Sequence, residues 1–113
     1  MKKALLFILF VVTVVLFQFC SSSKKAQRNA PKLSYAGSIH EIITGKCAPC
    51  HVGANPRQSK LDNYDSARAR IDTILRRIQL NPNEKGFMPS RRSKLPDSTI
   101  QVFVKWKNDG LMQ

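Results

Sequence analysis

The chain predicts a small all-α domain behind an apolar leader. After residue 32, three segments repeat apolar residues at helical spacing, and none alternates clearly as a strand. All six prolines (31, 49, 56, 82, 89 and 96) follow the leader and cut the region into short pieces. A length of 113 residues leaves room for one small domain and excludes a multidomain enzyme.

The leader is residues 1–19. Lys2 and Lys3 supply a positive start, and residues 4–19 are apolar apart from Thr13 and Gln18, the layout of a secretory signal. Cys20 follows directly, then three serines and two lysines. A cysteine at the end of such a run, before a polar serine stretch, resembles a bacterial lipoprotein signal, which implies lipidation of Cys20. Phe19 departs from the small residue usual before that cysteine. An uncleaved anchor or ordinary cleavage within Cys20–Ser23 are the alternatives. All three export the rest of the chain, to the periplasm or cell envelope. Residues 20–32 are polar and basic without periodicity, which predicts a flexible tether, and the lipoprotein resemblance implies that it is lipid-anchored. The folded domain is expected over 33–113.

The first helix is expected over Ser38–Cys47, with Ile39, Ile42 and Ile43 on one face. The second carries Ala67, Ile71, Ile74, Leu75 and Ile78 as its stripe, with Asp65 as N-cap and Arg76 and Arg77 suiting the dipole of its last turn. The third runs from Ser98 to Asp109, with a Ser98–Gln101 capping box and Gly110 just past its end. Gln101–Val104 is β-prone, but the helical end signals outweigh it. Long loops fill 51–64 and 79–97.

This domain has little to build a core from. The leader holds 15 apolar residues, which leaves 33 apolar among the 94 that follow, and Trp106 is the only Trp. Folds of this size and composition usually need a disulfide, metal or cofactor.

The chemistry lies in Cys47-Ala48-Pro49-Cys50-His51. A redox Cys pair should open a helix after a strand, whereas this pair closes a helical pattern. A structural zinc site needs four ligands, and beyond these three residues only His40 is near. The third reading is covalent haem attachment, for which C-x-x-C-H is the signature. Two intervening residues let both thiols add to the vinyl groups on one porphyrin edge, and the next residue can turn its imidazole to the iron.

A sixth iron ligand must then come from elsewhere. Gly86-Phe87-Met88-Pro89 offers a thioether 37 residues after His51, in a loop long enough to cross to the other face. Met/His ligation suits an iron that cycles between Fe(II) and Fe(III) and raises its potential. The bland reading of Met88 is a loop or core methionine.

Together these features resemble the small class I, mono-haem c-type cytochromes, from about Ser38 to Gly110. The resemblance rests on a helix ending in the Cys47–His51 motif, the loop 86–89, and a terminal helix with Trp106 that ends at Gly110. It implies a cytochrome c-like fold, three principal helices and long loops around one covalent haem c. Cys47 and Cys50 would hold the haem, with His51 proximal and Met88 distal to its iron. It also implies that the first and last helices cross beside the haem, through Ile39, Ile42, Phe103, Val104 and Trp106. The family often has a proline after the proximal His whose carbonyl orients the ring; Pro56 is the candidate here.

The implied function is one-electron transfer, without enzymatic activity outside a larger oxidoreductase. The alternatives are a peroxidase-like or gas-binding haem protein with an open sixth position, or a haem-free zinc or thiol lipoprotein. His40 reads as a surface residue, and Met112 could ligate only in place of Met88. Trp106 reads as helix packing, with donation to a haem propionate as the other option. Residues 20–113 carry 17 Lys or Arg against 7 acids. Arg91, Arg92 and Lys94 follow the Met88 loop, so a basic rim could attract the acidic patches of transient redox partners. The competing reading is a solvated charged surface that favours anionic lipid. No motif supports nucleic-acid binding.

Overall fold

A computed structural model describes Lys3, Ala4, Ile8 and residues 10–14, 31–54 and 59–113. The chain divides into Met1–Pro31 and Lys32–Gln113. The described residues of the first unit are exposed, and all but Pro31 are helical. Cys20 and Pro56 lie outside the described residues, as does the tether up to residue 30. Among the described residues, no helix is long and apolar enough to cross a membrane.

The second unit is all-α. No strand occurs among its described residues; one isolated parallel bridge joins Ser34 to Met112.

Its helical start is earlier than the apolar spacing indicates. A π-helical stretch, Tyr35–Ile39, runs straight into α1, His40–Lys46. The Ser34 hydroxyl accepts the Gly37 N–H at 3.0 Å and caps the stretch, so the chain turns helical three residues before Ser38. Tyr35, Ile39 and Ile43 are its buried residues, four apart on one face.

The expected second helix is two helices, α2 (Tyr64–Ala69) and α3 (Ile71–Gln79). Its cap is Asn63, whose side chain accepts the Ser66 N–H at 3.0 Å; Asp65 lies inside the first turn. The break falls at Arg70, whose N–H bonds the Ala67 carbonyl at 3.2 Å in a tight three-residue turn. Ala67, Ile71, Ile74 and Ile78 are all buried across it, so the apolar stripe continues through the break.

The last helix, α4, spans Asp97–Asn108. Pro96 precedes it with no side-chain cap, so the Ser98–Gln101 box does not form. Its end matches the sequence reading. Gly110 has φ +96, Gly110 N–H bonds Lys107 O at 3.2 Å, and Leu111 N–H bonds Trp106 O at 3.0 Å. This pair of bonds is a Schellman motif, which satisfies the last carbonyls of the helix.

Packing brings α4 against the π-helical stretch and against α3. Trp106, Phe103, Ile39 and Ile43 are the largest fully buried side chains. The Tyr35 ring stands 6.0 Å from both Trp106 and Tyr64. The Trp106 indole N–H donates to Met112 O at 2.7 Å, and Tyr35 N–H donates to the same carbonyl at 2.8 Å. Trp106 is therefore a packing residue with its donor already used. Lys107 and Asp72 pair at 2.6 Å between α4 and α3, an exposed bridge of small weight.

Candidate cofactor site

The Cys47–His51 segment follows the end of α1 as a turn. Cys47 N–H bonds Ile43 O at 2.8 Å, and His51 N–H bonds Cys47 O at 3.1 Å. The second bond closes a turn that brings the backbone of His51 back to that of Cys47. Both cysteines are free thiols. Burial pushes the Cys47 thiol above its usual range, while the charge of Arg92 pulls it down.

His51 is fixed from two directions. Its Nδ1 lies 2.7 Å from Ser59 O, and its own carbonyl accepts the Leu61 N–H at 2.9 Å. The carbonyl can only accept, so a neutral His51 carries its proton on Nδ1 and leaves Nε2 free. The loop that delivers Ser59 is closed by Asp62, whose carboxylate accepts the Gly53 N–H at 2.9 Å. That bond, with Lys60 nearby, holds the Asp62 carboxyl below its usual range, against a smaller opposing effect of burial. Buried Leu61 anchors the same loop, and the Tyr35 hydroxyl donates to its carbonyl at 3.2 Å. Burial, helped by the charge of Asp62, raises the Tyr35 phenol.

Met88 approaches on a second loop. Gly86 takes φ +96, a left-handed turn that suits glycine, and Phe87 beyond it is buried. Met88 N–H bonds Arg77 O at 3.2 Å, which docks the loop on α3. The Met88 side chain packs against the hydrophobic core.

These residues meet at one cavity of about 410 Å³, lined by Cys47, Cys50, His51 and Met88. Its inner wall includes Leu61, Ile74, Ile78, Leu95 and Phe103, all buried. Lys46, Arg70, Arg77, Arg91 and Arg92 also line it, and no Asp or Glu does. The volume lies within the range of small-molecule and cofactor sites, roughly 300–1,000 Å³. A haem c fits this donor set: two thiols, an imidazole with a free Nε2, a thioether, an apolar wall for the ring, and cations for its carboxylates.

The other candidate residues lie elsewhere. Met112 does not line the cavity; its carbonyl is engaged by Tyr35 and Trp106, and its side chain is exposed. His40 is exposed, edge-on to the Tyr35 ring at 5.7 Å. Among the described residues, no three His, Cys, Asp or Glu gather to hold a metal ion. Of the expected basic rim, Arg91 and Arg92 line the cavity, whereas Lys94 donates to Gln79 O at the end of α3, 3.1 Å away.

Ser59, Asp62 and Tyr35 are the contributors that motif reading missed. Ser59 acts through its carbonyl, which any residue possesses, so its identity carries no signal. Comparison of the chain with protein-family models, curated proteins and solved structures finds no match.

Proposed function

We propose that this protein is a one-electron carrier with a single covalent haem c, working outside the cytoplasm and tethered to a membrane through Cys20. The observation that carries the reading is the cavity shared by Cys47, Cys50, His51 and Met88, from the end of α1 and from a loop whose Met88 lies 37 residues after His51. The fold in this reading is cytochrome c-like.

Bound haem c supplies reversible one-electron chemistry. Cys47 and Cys50 would hold it through thioethers. His51 would present Nε2 to the iron while Nδ1–H stays on Ser59 O, which fixes the ring and raises its basicity. Met88 would hold the iron together with His51, so that no iron position would be left for a substrate. Leu61, Ile74, Ile78 and Phe103 would exclude water from the ring, and the cations at the rim would neutralise its carboxylates. The same rim suits transient docking to partners with acidic patches.

The test is expression with a haem c maturation system, followed by a pyridine haemochrome spectrum and intact mass. The expected result is one haem per chain, retained under denaturing conditions. Colourless protein at its apo mass overturns the proposal.

A further inference from the structure

We propose that Arg92 is a positioning residue that latches the Met88 loop to the Cys47–Cys50 turn and thereby sets how readily Met88 leaves the iron. This rests on the haem c reading above.

Arg92 is bonded on both sides of the cavity mouth. Its guanidinium Nη2 donates to Ala48 O at 3.1 Å, across 44 residues of sequence, and Ala48 lies between the two cysteines. Its backbone N–H donates to Pro89 O at 3.3 Å, the residue directly after Met88. Arg91, just before it, holds φ +60, a left-handed conformation unusual for a residue with a side chain. That conformation belongs to the tight turn in which Arg92 bonds back to Pro89. From that place the charge of Arg92 also acts on Cys47, opposing the effect of burial on its thiol.

The other tie on Met88 is its N–H to Arg77 O, which docks the loop on α3. The Arg92 bond differs in kind, because it connects the loop carrying one iron ligand to the segment carrying the other. If the 88–92 segment swings as a unit away from Cys47–His51, the Arg92–Ala48 bond breaks. Arg92 is exposed, so replacing it leaves the core intact. A charged donor on a carbonyl is worth more than a neutral one, though exposure to water reduces it.

The experiment is imidazole binding to matured ferric protein, followed as loss of the methionine–iron charge-transfer band. Imidazole can bind only after Met88 departs, so the rate at saturating imidazole reports loop opening. Arg92→Gln is expected to open about tenfold faster, the equivalent of about 1.4 kcal/mol, and Arg92→Lys should recover part of the difference. Lys85→Gln removes one charge from the same loop, from an exposed residue that does not line the cavity, and is expected to match wild type. If Arg92→Gln does not take up haem, Arg92→Lys is read alone, and an opening rate equal to wild type sinks the latch. Wild-type opening in Arg92→Gln, or equal acceleration in Lys85→Gln, also overturns it while the haem c reading stands. Matured wild-type protein without the band removes the haem reading and the latch together.

Discussion

The Nδ1 of His51 lies 2.7 Å from the carbonyl oxygen of Ser59, eight residues further along the chain. A neutral ring held in this way has one tautomer and leaves Nε2 available, so the Ser59 carbonyl helps to set how His51 presents its imidazole. Asp62 clasps that loop through Gly53.

Replacing Asp62 with Ala should loosen the clasp without touching the imidazole. In the haem c reading, the hydrogen bond from Nδ1 would strengthen His51 as a donor and favour the ferric state. Its weakening should raise the reduction potential of matured protein, measured by redox titration. A potential equal to wild type would mean that the loop holds Ser59 without Asp62.

Met88→Ala should remove the methionine–iron charge-transfer band of ferric protein and lower the reduction potential, because a thioether ligand raises it. Haem should remain attached, since Cys47 and Cys50 are untouched. Persistence of the band would reassign the ligand, with Met112 the remaining methionine of the folded unit.

Acid stability should depend on Asp109. Its carboxylate accepts from Lys105 Nζ at 2.8 Å and from Leu33 N–H at 2.7 Å, and these bonds, Lys105 first, hold its pKa below the usual value. A folded-state pKa below the unfolded one stabilises the fold at higher pH. That contribution is present above about pH 4 and disappears as the pH falls through the depressed value. Asp109→Asn should therefore be less stable than wild type at neutral pH, with the gap closing below pH ~3–4. Urea unfolding across that range measures it; a gap independent of pH would assign the effect to geometry rather than charge.

Gly110→Ala should cost roughly 1–2 kcal/mol, because φ +96 is a conformation that a Cβ disfavours. An added Cβ would meet no atom within 4 Å, so the cost is backbone strain and not a clash. Gly45, also without neighbours but with an ordinary φ inside α1, is the comparison: alanine there should be neutral or stabilising. The denaturant midpoint should fall for Gly110→Ala and stay or rise for Gly45→Ala.

Sequence patterning revealed what depends on side-chain type and spacing. Ile39 and Ile43, the stripe from Ala67 to Ile78, and the Gly110 stop all announce themselves in this way, as does the Cys47–His51 motif. It did not reveal what depends on backbone groups. The break at Arg70 leaves the apolar stripe intact, so periodicity cannot register it. The start of the first helix was set by Ser34, one serine among several near the tether. The expected capping box failed at Ser98 because α4 begins directly behind Pro96, whose carbonyl accepts from Thr99 and Ile100. The roles of Ser59 and Ala48 belong to their carbonyls, which no residue choice encodes.

The bridge between Ser34 and Met112 sets the two margins of the folded unit side by side. A short peptide could splice Met112 to Ser34, and new ends could then be opened in an exposed turn such as 82–85. Such a rewired polypeptide should reach the same architecture, because the seam is kept by the Met112 carbonyl with Tyr35 and Trp106 and not by the order in which a ribosome makes the pieces.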